Sequence, residues 1–273
     1  MPLFKFKTKR ISTYLTAGLL TAALAPFAQA QTPEEKGLEI AKTRKATDRG
    51  WNNSEQDMKM ILRNAQGNES VREMRSRALE ITNDGDKGLT IFDKPRDVKG
   101  TAFLSFSHTL EPDDQWLYLP ALKRVKRISS RNKSGPFMGS EFAYEDMSSF
   151  EVEKYDYKFL RDEACPVQPE LTCYVVESNP KDKFSGYSKT IVWIDHKEYR
   201  MFKAEYYDKK KDLLKTLESS EYKLYLDKYW RAHKLSMVNH QTGKSTVLLT
   251  DNIRFNTGLT DKDFDKNTLK RIR

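Results

Sequence analysis

The residues from 101 to 110, TAFLSFSHTL, alternate between apolar and polar side chains, and this alternation constrains the fold more than any other feature of the chain. Ala102, Leu104 and Phe106 fall on one side of an extended strand, and small polar residues fall on the other side, which only Phe103 interrupts. A period of two is typical of an antiparallel strand that has one side against a core or a cavity. We therefore expect a β-rich fold.

Similar segments recur at short intervals along the chain, separated by turn signals such as NPKD, DHKE and QTG. Strands that are joined repeatedly by short turns favour an antiparallel meander over a parallel α/β sheet. The candidate strands lie at residues 58–62, 71–81, 89–93, 101–110, 116–119, 151–160, 171–178, 189–194, 200–207, 216–226, 230–240 and 246–255.

Two of these segments, residues 173–176 and 191–194, carry apolar side chains on both faces of the strand. Both faces of the sheet must then be covered, and helices lying across a curved sheet would cover them. The sequence predicts one helix over residues 34–48, a second in the region 137–149, and a short turn or helix that begins after Thr260.

The N-terminus carries four positive charges in MPLFKFKTKR, then an apolar run to about Ala25, then AQA at residues 28–30. This three-part pattern is typical of a secretory signal peptide, and the run is shorter than the roughly 20 residues that a membrane-spanning helix needs. We expect cleavage after Ala30, export of the mature chain, and a single domain over residues 31–273. No cysteine stands at the cleavage point, so we expect no lipid anchor on the mature chain.

Loss of residues 1–30 lowers the formal net charge from +9 to about +5, because four cations and no acids are removed. This mildly basic balance favours contact with anionic head groups or acidic partners, and it does not indicate nucleic-acid binding in an exported chain.

Cys165 and Cys173, the two cysteines, flank the short loop PVQPELT. In an oxidising compartment they favour a disulfide that closes a hairpin; metal binding and redox catalysis fit less well, because there is no CxxC and no nearby histidine pair.

The stretch from residue 113 to 147 gathers large apolar side chains beside glycine-containing loops. Soluble monomers rarely expose large apolar patches that have no binding function, so the stretch is a candidate surface for an apolar ligand. The alternative is that these side chains belong to the hydrophobic core. Its basic patch would either be a solvated surface or contact an acidic partner or anionic head groups. The patch consists of Lys123, Arg124, Lys126 and Arg127.

Three runs also carry a family resemblance: DVKGTAFL at 97–104, DDQWLYLPALKRVKRIS at 113–129, and KSGPFMGSEFAYEDM at 133–147. They resemble the periplasmic outer membrane lipoprotein-sorting proteins, which are related to the LolA/LolB-like carriers, and a looser resemblance extends over residues 34–273. It implies a mainly β (α+β) fold: an open, half-barrel antiparallel sheet, with helices over its concave face, that holds a lipid or acyl chains.

Within that fold, the aromatic and thioether side chains of the central stretch should line or gate the cavity, because broad aromatics and flexible methionines suit a ligand of variable shape. Leu104 and Phe106 would form its floor. The predicted lipid-binding residues are Leu104, Phe106, Trp116, Tyr118, Phe137, Met138, Phe142, Tyr144 and Met147.

The motifs of common enzymes are missing from the sequence: there is no GxSxG, HExxH, P-loop or Rossmann glycine pattern, and the four histidines are scattered. We therefore expect neither an enzyme, nor a metal site, nor a cofactor. Two functions stay open. In the first, which the resemblance implies, the chain would be a monomeric periplasmic carrier of lipid or lipoprotein acyl chains and would work between an inner-membrane exporter and an outer-membrane acceptor. Alternatively, it is a non-carrier interaction module, accessory to an envelope exporter, whose concave face is filled by its own side chains or by a partner peptide.

Overall fold

The computed structural model describes residues 1–5, 7, 9 and 31–271, and the folded unit begins at Gln31. The predicted signal-peptide cleavage site at 28–30 lies outside the described residues. Among the helices that are described, none has the length and apolar character needed to cross a membrane.

Thirteen strands of the described residues form one antiparallel sheet that stays open, as predicted. Its spatial order is β6-β5-β4-β3-β2-β1-β13-β12-β11-β10-β9-β8-β7, so every pair except β1 with β13 joins strands that are consecutive in the chain. The strands are β1 Asn53–Arg63, β2 Glu69–Leu79, β3 Lys87–Lys94, β4 Ala102–Phe106, β5 Asp114–Leu119, β6 Arg124–Ile128, β7 Tyr155–Ala164, β8 Thr172–Pro180, β9 Lys189–Asp195, β10 Met201–Tyr207, β11 Leu213–Tyr225, β12 Tyr229–Asn239 and β13 Ser245–Phe255.

The strand order places β6 and β7 at opposite edges of the sheet, although they follow one another in the chain. Residues 129–154, which join them, must therefore cross one face of the sheet; we call them the crossing segment. The second predicted helix, in the region 137–149, is wrong, because the crossing segment makes only short 3-10 turns there. The Phe137 N–H donates to the Phe142 carbonyl at 2.7 Å, and Met138 and Gly139 have positive φ angles of 51° and 76°, which turn the chain back on itself.

The first predicted helix is confirmed as α1, Pro33–Thr47. Its start is fixed by a capping box, in which the Glu35 N–H donates to the Thr32 hydroxyl at 3.2 Å and the Thr32 N–H donates to the Glu35 carboxylate at 2.9 Å. The helix packs against β7 at Gly37, where a Cβ atom would lie only 2.8 Å from the backbone nitrogen of Phe159. Glycine at this position therefore permits the close approach of the helix to the sheet edge.

Both faces of the sheet are apolar, as predicted. We call the face under α1 and the crossing segment the inner face. It carries the largest core cluster, which includes Met60, Phe92, Phe103 and Leu217. On the opposite, outer face, a second cluster packs against the C-terminal 3-10 turns through Phe264 and Leu269, and this confirms the short terminal element predicted after Thr260.

The predicted disulfide is present between Cys165 and Cys173. Cys165 directly follows β7 and Cys173 lies in β8, so the bond closes the hairpin at the β7 edge of the sheet. The predicted strand at 151–160 begins later than expected, because Val152–Lys154 forms a 3-10 turn before β7.

Candidate functional site

The inner face holds a cavity of about 810 Å³. Its walls are the inner face of β7 to β12, helix α1, and parts of the crossing segment, and the loop at 110–113 borders it as well. This volume lies within the usual range for sites that bury a small organic ligand, roughly 300–1,000 Å³.

The sheet supplies an apolar wall to the cavity. Each neighbouring strand contributes at least one inward side chain, because strand residues alternate between the two faces. The wall consists of Tyr157 on β7, Val176 on β8, Val192 and Ile194 on β9, Met201 on β10, Leu217 on β11 and Leu235 on β12, and Ala41 of α1 faces the same space.

Most of the other lining side chains are polar, and several of them are ion-paired. Lys133 of the crossing segment lies 2.6 Å from the Asp182 carboxylate, and Lys154 pairs with Asp113. A cavity with an apolar sheet wall and a charged opposite wall suits a ligand that is itself amphiphilic.

A buried ion pair attaches the crossing segment to the sheet. Lys215 Nζ on β11 lies 2.7 Å from the Asp146 carboxylate, and the two side chains are only 4% and 7% exposed. The same carboxylate accepts from the Tyr187 hydroxyl at 2.8 Å and from the Ala143 N–H at 2.7 Å. The Asp146 carboxylate thus has three hydrogen-bond donors. A buried charge needs such partners, because they offset the cost of removing it from water.

Burial shifts the pKa of several groups in the walls. Desolvation raises the pKa of Glu145, although the Gly186 N–H and the Ser185 hydroxyl, each at 2.7 Å, oppose this shift. Burial also raises the pKa of Tyr155 and Tyr206, while the nearby positive charge of Arg44 lowers both. These tyrosines stay neutral and can donate or accept a hydrogen bond inside the cavity.

The structure separates the predicted lipid-binding residues into three groups. Phe142 lines the cavity. Phe137 is fully buried in the inner core, away from the cavity lining, and Met138, Tyr144 and Met147 pack against that core. The other four belong to the outer cluster, on the opposite face of the sheet: Leu104, Phe106, Trp116 and Tyr118.

The assignment of Leu104 and Phe106 to the cavity floor is therefore wrong. The alternation in β4 is present as predicted, but the side assigned to the cavity is the outer face of the sheet. Phe103, which interrupts the polar side, points to the inner core, and its ring centroid lies 5.0 Å from that of Phe137. Leu104 instead packs on the outer face, where its cross-strand partner is Trp116.

Sequence reasoning missed most of the cavity residues, among them Arg44, Tyr155, Ile194, Tyr206 and Leu217. The sequence did contain a signal for the part of the wall that β8 and β9 supply, namely the apolar side chains on both faces of the segments 173–176 and 191–194. Those side chains predict strands that are covered on both faces, and in the structure the inner face of these strands borders the cavity.

The four cations of the predicted contact patch lie on or beside β6, an edge strand, and all are exposed. They are Lys123, Arg124, Lys126 and Arg127, and none of them lines the cavity. Arg127 pairs with Asp114 of the neighbouring strand. No group of three or more potential metal ligands occurs within the described residues.

Comparison with known proteins identifies the family and the fold of this chain. A solved structure described as an outer membrane lipoprotein-sorting protein domain from Vibrio parahaemolyticus is 63% identical, with a TM-score of 0.85 over 87% of this chain and 100% of that chain. A DUF1329 family protein from Desulfovibrio piger is 29% identical, with a TM-score of 0.82 over 87% and 99%. A LolA superfamily protein from Nitrosomonas europaea is 21% identical, with a TM-score of 0.66 over 85% and 98%, and this likeness concerns the fold alone.

A family model whose description is "uncharacterized protein" matches residues 84–271. No curated protein matches the chain. The resemblance found in the three sequence runs is thus confirmed by identity over most of both chains. The chain belongs to the family of the Vibrio outer membrane lipoprotein-sorting protein domain, and its open half-barrel is LolA-like.

Proposed function

We propose that this protein is a periplasmic carrier that holds the acyl chains of a lipid or lipoprotein in the inner-face cavity. The observation that carries the proposal is the cavity itself: about 810 Å³ beside an apolar wall built from six adjacent strands, in a chain that has the LolA-like fold. Each buried CH₂ group is worth about 0.8 kcal/mol, so acyl chains leave a membrane very slowly unless an apolar cavity receives them.

The proposed location is supported by two independent features. The sequence pattern of residues 1–30 is that of a signal peptide, and we propose that the mature chain starts at Gln31. The Cys165–Cys173 disulfide suits an oxidising compartment such as the periplasm.

The exposed cations of the β6 edge are our candidates for contact with anionic head groups or with an acidic partner protein during cargo transfer. We further propose that the protein has no enzymatic activity.

Cargo binding can be tested by filling the cavity. Ala41 lies on the buried side of α1 and faces the cavity, whereas Ala46 lies on the exposed side of the same helix. Ala41→Phe should weaken the binding of a fluorescent fatty-acyl probe by about tenfold or more, because the added ring occupies the space of several methylene groups. Ala46→Phe is the matched control, and its binding should stay at the wild-type level.

Organic extraction of the purified wild-type protein, followed by mass spectrometry, should in addition show stoichiometric lipid. Absence of both co-purifying lipid and saturable probe binding would contradict the carrier function. The interaction module accessory to an envelope exporter would then take its place.

A further inference from the structure

Arg44 differs from the other cations that line the cavity. Lys133, Lys154 and Lys181 each lie within 4.0 Å of a carboxylate. Within residues 31–271, Arg44 has no carboxylate at that distance, although it projects from the last turn of α1 into the cavity lining. A guanidinium carries five N–H donors and stays charged at any physiological pH.

The contacts of Arg44 leave most of those donors unused. The guanidinium carbon lies 4.8 Å from the centroid of the Phe150 ring, within the range of a cation–π contact. Its hydrogen-bond contact is with the Met201 sulfur at 3.9 Å, and a thioether is a weak acceptor. An aromatic ring has no oxygen acceptor, so the contact with Phe150 does not take the place of a carboxylate or carbonyl partner.

Two tyrosine hydroxyls share this part of the cavity. Tyr155 and Tyr206 both line it, and in the described part of the chain neither hydroxyl has a hydrogen-bond partner, in contrast to Tyr157, whose hydroxyl donates to the Val152 carbonyl at 3.0 Å. The charge of Arg44 acts on both unpartnered hydroxyls. One cation and two neutral donors thus face the same space without protein acceptors.

The two acids whose charges act on both tyrosines, Asp146 and Glu145, are already engaged. Asp146 is neutralised by Lys215, and it accepts from Tyr187 as well. Glu145 accepts from Ser185 and Gly186. Neither carboxylate therefore takes the place of the acceptor that Arg44 lacks.

We propose that Arg44, Tyr155 and Tyr206 form a binding site for the anionic head of an amphiphile, a carboxylate or a phosphate, whose acyl chain lies along the apolar sheet wall. The proposal rests on the cargo-binding function above and specifies the chemistry of the cargo. Guanidinium groups pair in a bidentate manner with both carboxylate and phosphate, and a tyrosine hydroxyl can donate to the same oxygens.

Ligands that differ only in the head group test this site. The protein is first loaded with an uncharged, polarity-sensitive dye that binds in the cavity. The complex is then titrated with oleate, with oleoyl lysophosphatidate or with oleyl alcohol, each below its micelle-forming concentration. In the wild type, at least one of the two anionic ligands should displace the dye at a concentration about tenfold to a hundredfold lower than oleyl alcohol does, the range expected for hydrogen bonds to a charged group. The stronger of the two identifies the head as carboxylate or phosphate.

The variants locate that preference. The readout is the difference between the displacing concentrations of oleyl alcohol and of the anionic ligand. Arg44→Gln should abolish this difference, and Tyr206→Phe should reduce it by a smaller factor. Lys42→Gln removes the same charge from an exposed position of the same helix and should have no effect. Arg44→Lys keeps the charge and should keep part of the preference, which guards against a misfolded glutamine variant.

The possible failures are distinguishable. If all three ligands displace the dye equally from the wild type, or if Arg44→Gln keeps the preference, the head-group site is wrong and the carrier function stands. Inorganic phosphate has an anionic group but no acyl chain. If it displaces the dye as well as the anionic ligands do, the claim that the ligand is an amphiphile is wrong. If none of the ligands binds, the carrier function fails, and the head-group site fails with it.

Discussion

The two halves of the sheet use the same inner face differently. Over β2 to β4, the crossing segment fills the space with its own aromatics, and the ring of Phe137 lies 6.1 Å from that of Phe92 and 5.0 Å from that of Phe103. Over β7 to β12, the inward side chains border the open cavity instead. One half of the inner face is therefore a packed core, and the other half is one wall of the cavity, with side chains that are similarly apolar.

The difference shows that apolar strands alone do not define a binding site. What matters is where the connection between β6 and β7 lays down its large side chains. Because this connection must cross the inner face, its aromatic residues, near Phe137, close one half, and its charged residues, near Asp146, form a wall of the other.

The largest expected effect comes from opening the packed half. Phe137 is fully buried, so Phe137→Ala should lower the free energy of unfolding by about 3–5 kcal/mol, through lost burial and the cavity left behind. Leu217→Ala, in a residue that already borders the cavity, should cost about 2 kcal/mol, at the low end for such a change. Urea denaturation measures both values. Equal losses would mean that the two halves are packed alike.

Probe binding gives the reverse ranking. Leu217→Ala should alter fatty-acyl probe affinity, since it reshapes the cavity wall, whereas Phe137→Ala should leave the affinity of the folded fraction near the wild-type value. A large loss of affinity in the Phe137 variant, measured well below its melting temperature, would contradict the separation of the two halves.

The second prediction concerns the ion pair that attaches the crossing segment. Lys215→Met leaves Asp146 buried without its cation and should cost about 3 kcal/mol, near the low end for breaking a buried pair, because two neutral donors remain. Probe affinity should fall as well, because Asp146 belongs to the cavity wall. Lys223→Met, at an exposed position of the same strand, is the control and should change neither quantity. Unchanged stability in the Lys215 variant would show that the pair contributes nothing.

Local sequence patterns predicted most of the strands and the N-terminal helix, because the spacing of apolar residues and the turn residues are properties of neighbouring residues. The disulfide could also be predicted, since its two cysteines flank one hairpin. Near 137–149 the pattern indicated a helix, but the tertiary path across the sheet, with positive φ angles at Met138 and Gly139, prevailed over local propensity.

The candidate site was harder to predict, because its position depends on distant pairing. Only the contact of β1 with β13 places β6 and β7 at opposite edges, and no local pattern reveals that pairing. In β4 both faces are apolar at Phe103 and Leu104, so alternation could not tell which face is inward. Of the predicted residues, Phe142 alone lines the cavity, whereas the Arg44 guanidinium became a candidate only through its lack of a partner in space.

The smallest expected effect lies at the border between the two halves, where the turn before β3 holds the loop at 107–113, part of which lines the cavity. Asp84 Oδ2 lies 2.6 Å from His108 Nδ1, and its other oxygen accepts from the Thr109 N–H at 2.8 Å. Burial would raise the pKa of Asp84, but hydrogen bonds from His108, Thr109 and Gly85 outweigh it and lower the pKa to about 2.

Because the pKa of Asp84 in the folded chain is lower than the unfolded value of about 3.9, its stabilisation is present above about pH 4 and is lost as the pH falls towards 2. Asp84→Asn should therefore lower the free energy of unfolding at pH 7 by less than about 1 kcal/mol, since the side chain is 41% exposed, and the gap from the wild type should close near pH 2. Asp227→Asn, in an exposed turn between β11 and β12, is the matched control and should show no such gap. Urea denaturation at pH 7 and pH 2.5 measures the difference; a gap of equal size at both values would mean that the Asp84 carboxylate does not hold the loop through its charge.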